Sequence, residues 1–301
     1  MAGSAAAFAI SEGLKVQKAA ITAVQIPRRV FSPVCDCPSD RVAIAFRLTR
    51  TDRLTVGIVD AHGQIVRTLV GNKLFGRGKH HFTWNGLTGV GAVVPDGIYE
   101  PRIRLHRAGK TLVLPVPITV DTTPPRIAVL SVHPRTISPD GDGYSDVVRV
   151  HYRIDERAHA LLFVNGVQRA LSKFQHQNDT IQWYGRVNGR PLPTGSYRLS
   201  VAAVDTAGNP SRVVPAGSVR IRFVELPARA FRARAGSKVV IPVSTDAPKV
   251  HFTLKHGSST IVAGSSPRRL VLRAPAKAGR YTLVVGAAGH SDRALVVVTK
   301  R

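Results

Sequence analysis

The feature that most constrains this chain is a pattern that occurs twice: an Asp-bearing opening turn, a Trp strand, and a Pro-x-Gly-x-Tyr run into a further strand. The first copy goes from FSPVCDCPSD (Phe31 to Asp40) to FTWNG (Phe82 to Gly86) and VPDGIYEPRI (Val94 to Ile103). The second goes from ISPDGDGYSD (Ile137 to Asp146) to IQWYG (Ile181 to Gly185) and LPTGSYRLSV (Leu192 to Val201). A repeat of about a hundred residues is one small domain used twice, so the chain reads as an array. Arrays of this kind hold or bind partners more often than they catalyse.

Between these markers the apolar residues alternate with polar ones. Val42 to Leu48 and Leu54 to Val59 read as strands with one apolar face, and Asp60-Ala61-His62-Gly63 is the turn that leads into Gln64 to Val70. With 44% hydrophobic residues broken by 26 Gly and 20 Pro, many short strands joined by turns are expected. The fold class this implies is all-β, as tandem immunoglobulin-like β-sandwiches. The segment VDTTPPRI (Val120 to Ile127) cannot continue a central strand, because consecutive prolines remove two donors, and it reads as a stiff connector. The expected division is an N-terminal tail at 1–29, sandwiches at 30–121 and 122–223, and a third sandwich at 224–301. In the third, Ala278-Gly279-Arg280-Tyr281-Thr282-Leu283 repeats the Gly-x-Tyr element with no Trp before it. The first residues, with GSAAAFAI at Gly3 to Ile10, fit two readings equally: the remaining end of a signal anchor whose beginning is missing, or a short helix through GLKVQKAAITAV.

These residues also carry a family resemblance. IVDAHGQIVRTL (Ile58 to Leu69), then Trp84-Asn85-Gly86, then Val94-Pro95-Asp96-Gly97-Ile98-Tyr99 resembles the Ig-like domain of FlgD, the bacterial flagellar hook-capping protein; that module also occurs in many secreted and surface proteins of bacteria. ISPDGDGYSD resembles the opening of related extracellular modules, in which a Ser-Pro-Asn-Gly-Asp-Gly turn starts the first strand. VDTTPP and AVDTAGNPS (Ala203 to Ser211) are similar to the linker and closing turn of tandem Ig-like domains in bacterial adhesins. The resemblance covers Phe31 to Ser211 and implies a non-enzymatic structural or binding module, secreted or at the cell surface. It departs from the pattern at Cys35 and Cys37, which stand where the second copy has Gly141 and Gly143. The rod- and hook-binding parts of a hook-capping protein have no recognisable counterpart, so a flagellar role is not implied.

Charge raises a separate question. The 43 Lys and Arg against 18 Asp and Glu give a net charge of +25, and the last 78 residues hold 14 of the basic residues against 3 acidic ones. Most basic residues alternate with apolar neighbours, as in Arg149 to Ile154, which places them on the wet face of strands. The simplest reading is solvation. The sharper one is that the third domain meets a polyanion such as cell-wall polysaccharide, with Arg268 and Arg269 as candidate contacts. Aromatic residues at 6%, mostly at core positions of strands, give nucleic acid little support as a partner. A protein or cell-wall polysaccharide partner is expected, with a membrane reached only through the missing anchor.

Two clusters carry chemistry. Asp140, Asp142 and Asp146 lie in a Gly-rich turn and could converge on calcium, which takes oxygen ligands, but the distal Glu of a calcium loop is lacking. Asx turns that need no ion are the preferred reading, and no cofactor is otherwise expected. Cys35 and Cys37, one residue apart, either form a local disulfide in an oxidising compartment or are a pair of small buried thiols; finger-like zinc spacing is absent. The 11 His show no metal-like spacing, and no Gly-x-Ser-x-Gly elbow, Walker loop or dinucleotide fingerprint occurs. Catalysis is therefore not expected.

Overall fold

A computed structural model describes residues 19–300 of the chain. The tail reading, signal anchor or short helix, falls for residues 1–18 outside the described residues. Among the described residues every regular element is a β-strand, and no helix is long and apolar enough to cross a membrane. The alternation seen in the sequence is the reason. In Val148–Ile154, Val148, Val150, Tyr152 and Ile154 are buried while Arg149, His151 and Arg153 face water. Each such side chain moved out of water contributes about 1.5–3 kcal/mol, and the sandwich gathers them between two sheets.

Two compact units emerge. The first holds the residues up to Pro124 together with the turn Asp205–Pro210. One of its sheets runs Ile21–Gln25, Val42–Leu48, Gly78–Trp84; the other runs Val30–Phe31, Ile118–Val120, Gly97–Leu105, Asp52–Val59, Ile65–Phe75, with Lys110–Val113 also on Gly97–Leu105. Its core is continuous through Leu69 and Phe82, which touch both of its apolar clusters. Ile21–Gln25 pairs antiparallel with Val42–Leu48, so the sandwich starts before the boundary expected at residue 30. Within the presumed tail, Ile21 is a buried core residue, which explains why this end is held as strand.

The second unit holds Pro125–Val204 and Ser211–Arg301 and contains two separate cores. One sandwich pairs the sheet Ile127–His133, Val148–Ile154, Asn178–Trp183 with the sheet Thr136–Ile137, Val214–Ile221, Gly195–Asp205, Ala158–Val164, Val167–Leu171. The other has the sheet Ala230–Arg234, His290–Thr299, Gly279–Ala287, Val250–His256, Ser259–Ser266, faced by the short pairs Lys238–Pro242 with Arg269–Arg273 and Val224–Glu225 with Ser244–Thr245. Phe223 belongs to the first of these cores and the next residue, Val224, to the second. In each of the three sandwiches an opening strand pairs parallel with the closing one: Val30–Phe31 with Ile118–Val120, Thr136–Ile137 with Val214–Ile221, and Ala230–Arg234 with His290–Thr299.

Candidate functional site

The Trp and Tyr of each repeat meet in the core. Trp84 packs edge-on against Tyr99 at 5.2 Å and Phe31 at 5.5 Å, and Trp183 against Tyr197 at 5.8 Å. Each Tyr hydroxyl donates to the carbonyl four residues earlier: Tyr99 to Pro95 at 2.7 Å, Tyr197 to Pro193 at 2.8 Å, and, in the sandwich that lacks a Trp, Tyr281 to Lys277 at 2.7 Å. The Gly that follows each Trp strand is fixed by contact as well as by backbone. A Cβ at Gly86 (φ +72°) would lie 2.7 Å from Pro33, and one at Gly185 (φ +63°) 2.8 Å from Pro139. Those prolines open the two Asp-bearing loops, so both loops are seated the same way.

Both loops are also closed by the same bond, Ser32 N–H to the Ser39 carbonyl at 3.2 Å and Ser138 N–H to the Ser145 carbonyl at 2.9 Å. Their interiors differ. In the first, Cys35 and Cys37 are joined by a disulfide and keep negative φ. Asp40 pairs with Arg41 at 2.6 Å, and this hydrogen bond holds its carboxyl below the ordinary range. The disulfide rests on the turn Asp205–Pro210, where a Cβ at Gly208 (φ +101°) would come 2.6 Å from Cys37 Sγ. That turn is braced by Asp205 Oδ1, which accepts from the Gly208 and Asn209 amides at 2.7 and 2.9 Å, while Asn209 Nδ2 donates to the Asp121 carbonyl at 2.9 Å. Asp96 clamps the start of the Pro-rich connector by accepting from Thr122 N–H and from the Thr122 and Thr123 hydroxyls at 2.8, 2.8 and 2.9 Å.

The second loop uses carboxylates. Asp146 Oδ1 and Oδ2 accept from the Gly141 and Gly143 amides, both at 2.8 Å. Asx turns form at Asp140 and Asp142, which accept from the Asp142 and Tyr144 amides at 3.3 and 2.8 Å. Gly141 and Gly143 sit at φ +94° and +88°, a conformation that cysteine at 35 and 37 avoids. One ligand oxygen from each of Asp140, Asp142 and Asp146 can be chosen so that all lie within 4.8 Å of one another. Burial, and then repulsion from Asp142, Asp246 and Asp146, push the Asp140 carboxyl up, against the opposing Asp142 amide. Asp246, from the third sandwich, is the residue that sequence reasoning missed. Its one signal was rarity, as one of 3 acidic residues in a segment with 14 basic ones.

Arg268 and Arg269 are exposed neighbours with different roles. Arg268 donates to the Asp246 carbonyl at 2.9 Å, and Arg269 pairs with Pro242 across the strands Lys238–Pro242 and Arg269–Arg273. The outer face of that pair carries Lys238 opposite Arg273 and Val240 opposite Val271, all exposed. It is a cationic face with an apolar centre. In the first unit an open crevice of about 620 Å³ is lined by Arg50, Asp52 and Arg107 among others; the buried Asp52 carboxylate is taken up by the Arg107 and Ala108 amides at 2.8 and 3.1 Å.

Fold and loops together define a tandem immunoglobulin-like β-sandwich protein. Residues 38–108 match the family model of the FlgD Ig-like domain. No curated protein matches the sequence. Solved structures similar to the chain include fibronectin(III)-like modules of CbhA from Clostridium thermocellum, at 14% identity and TM-score 0.35 over 66% of this chain and 93% of that one. An I-band fragment of titin is similar at 13% identity and TM-score 0.30 over 93% and 99%. SGBP-B of the Bacteroides ovatus mixed-linkage glucan utilization locus, solved with a mixed-linkage heptasaccharide, is similar at 16% identity and TM-score 0.25 over 92% and 67%.

Proposed function

We propose that the chain is a non-enzymatic spacer and binding module that works outside the cytoplasm, associated with the cell envelope or an adhesive surface. The observation that carries this reading is the asymmetry of the third sandwich. Its three acidic residues are engaged away from its outer strand pair: Glu225 pairs with Arg220 of the second sandwich, Asp292 accepts from the Leu226 amide at 2.8 Å and pairs with Arg229, and Asp246 interacts with Ser138 and the Asp140 loop. The outer face of Lys238–Pro242 and Arg269–Arg273 is thereby left with uncompensated positive charge, suited to an anionic polymer of the cell wall. The Cys35–Cys37 disulfide supports an oxidising compartment. A second reading, an accessory or scaffold region of a larger secreted enzyme or flagellar-type assembly, is favoured by the FlgD Ig-like match at 38–108.

The test is titration of the full chain with teichoic-acid-like polymer, heparin and duplex DNA over a salt series. Saturable binding should weaken steeply as salt rises, and Arg269→Gln with Arg273→Gln should weaken it more than Arg268→Gln, whose guanidinium is engaged by the Asp246 carbonyl. Equal, feeble binding to all three polymers would refute the reading.

A further inference from the structure

The main sheet of the third sandwich ends in a strand unlike the other sheet edges of the molecule. Ser259–Ser266 (STIVAGSS) is paired on one side to Val250–His256, and among the described residues no strand pairs with its other side. An open edge presents a row of unpaired N–H and C=O groups, and proteins blunt such rows with charge, proline, shortness or a bulge. Other terminal strands are blunted in this way: Gly78–Trp84 carries Lys79, Ile65–Phe75 carries Lys73, Val167–Leu171 carries Arg169, Asn178–Trp183 carries Asp179 and Ala230–Arg234 carries Arg232. Ile21–Gln25 and Ile127–His133 carry no Lys, Arg, Asp or Glu, but each is shorter and broken in register along its length. Ser259–Ser266 has neither charge nor proline over eight residues. Its register shifts only near the first end, and five consecutive pairs follow, from Leu254 with Val262 to Val250 with Ser266.

The side chains of this strand are small and alternate between its two faces. Ile261, Ala263 and Ser265 are exposed, while Val262, Gly264 and Ser266 are half-buried. The Phe252 ring lies over Gly264, where a Cβ would come 3.0 Å from its Cε1 and Cζ. An aromatic ring thus fills the place of a side chain at the outermost strand, so a strand laid alongside meets an apolar contact on that face. Charge stands around the strand instead of in it. Between Asp246 and Asp292 the chain has seven Lys and Arg and no Asp or Glu. Lys255 pairs with Thr260 at one end, and Arg268 and Arg269 follow Ser266 at the other. Asp246, whose carbonyl takes the Arg268 guanidinium, has both carboxylate oxygens shut off from solvent.

These cations select the occupant. A second copy of this chain would meet the edge about a two-fold axis, antiparallel, and would bring the Lys255 end of one strand onto the Arg268 end of the other, which is repulsive. An acidic chain meets opposite charge at both ends. We infer that Ser259–Ser266 is a docking edge for an extended acidic segment of a partner protein, which adds a strand to the five-stranded sheet. Main-chain hydrogen bonds to the open edge supply the affinity, an apolar side chain beside Phe252 fixes the register, and Asp or Glu at the ends of the segment meet Lys255 and Arg268. The inference stands apart from the polyanion reading, which uses the outer face of Lys238–Pro242 and Arg269–Arg273, since a polymer held by charge alone has no use for an uncharged edge.

The experiment titrates the full chain into the fluorescein-labelled peptide DEVTVTVTVDE at physiological salt and follows anisotropy. Saturable binding should weaken by about tenfold or more in Ala263→Pro, which takes an N–H and a regular backbone out of the edge. It should weaken by as much when the Val and Thr amides of the peptide are N-methylated, a change that leaves its charge intact. Lys255→Gln with Arg268→Gln should weaken it by about threefold or more, and the lysine copy KKVTVTVTVKK should not bind. Absence of saturable binding up to about 1 mM peptide would overturn the inference. So would equal binding of the N-methylated copy, which would mean that charge alone holds the peptide. A concentration-dependent dimer in sedimentation that is lost in Ala263→Pro would assign the edge to a second copy and would overturn it as well. If Ala263→Pro unfolds the third sandwich, the N-methylated peptide tests the native chain and keeps the experiment decisive.

Discussion

The two opening loops have the same length, the same closing Ser–Ser bond and the same proline seated on the same glycine, yet one is closed by sulfur and the other by carboxylates. The shared parts contact the core and answer to packing. The parts that differ face outward, each toward a different neighbour: the disulfide rests on Gly208, and the acidic loop looks to Asp246. A repeated domain thus keeps what its core needs and varies what its ends touch. A covalent tie fits where a glycine must be approached closely, because a disulfide presents bulk without charge.

The largest test of this comparison addresses the part held in common. Gly86→Ala and Gly185→Ala should each cost about 2–4 kcal/mol, since each adds a left-handed-backbone penalty to overlap with a proline. Urea unfolding of both variants checks it, and a well-tolerated alanine at either position would break the equivalence. Next comes the disulfide. Because its closed loop is short, Cys35→Ser with Cys37→Ser should lower stability by about 1.5 kcal/mol, as should reductant, and the loss should fall on the first unit's transition in calorimetry. Reductant that shifts the second unit's transition instead would count against the assignment.

A smaller effect separates the loops at the aligned Asp. Asp146→Ala loses two amide hydrogen bonds and should cost about 1–2 kcal/mol, whereas Asp40→Ala, whose partner is an exposed Arg, should leave the melting temperature unchanged. The smallest effect is in pH dependence. Burial alone would raise Asp292, but the Leu226 and Arg293 amides and the Arg229 guanidinium outweigh it and hold the carboxyl below its ordinary value. The folded form therefore gains stability above about pH 4 and loses it as pH falls through the folded value. Asp121 is opposite in sign: burial, together with Asp205 and Asp96, raises it despite the Thr123 amide. Its contribution is lost as pH rises past about 4. Acid titration of Asp292→Asn and Asp121→Asn should flatten opposite slopes in the two units, and slopes of the same sign would contradict the assignment.

Most of the fold was legible because it is written in local rules. Alternation of apolar and polar residues marked the strands, and the Gly and Pro positions marked turns. The Gly-x-Tyr element also recurs in the third sandwich without a Trp, and there Tyr281 bonds the Lys277 carbonyl as Tyr99 and Tyr197 bond Pro95 and Pro193. Two things were not legible. Ile21–Gln25 lies in a segment too short for periodicity to separate helix from strand, and its pairing with Val42–Leu48 decides the matter through tertiary contact. Asp246 meets a loop a hundred or so residues earlier only because strand pairings on both sides of Phe223 bring them together. A sequence shows which carboxylates are close along the chain, and Asp140, Asp142 and Asp146 were found that way. It does not show which loop the far side of a domain boundary will present.

The parallel pairing of opening and closing strands has a mechanical consequence. Pulling the two ends of such a sandwich apart slides the paired strands along each other, so their backbone hydrogen bonds stretch together instead of opening one after another. In the first two sandwiches only two residue pairs stand in that register, Val30 with Thr119 and Phe31 with Val120, and Thr136 with Arg220 and Ile137 with Ile221. In the third there are five, from Ala230 with Leu295 to Arg234 with Thr299. Under tension along the chain, the five-pair register of the third sandwich is expected to resist shear more than the two-pair registers of the first and second.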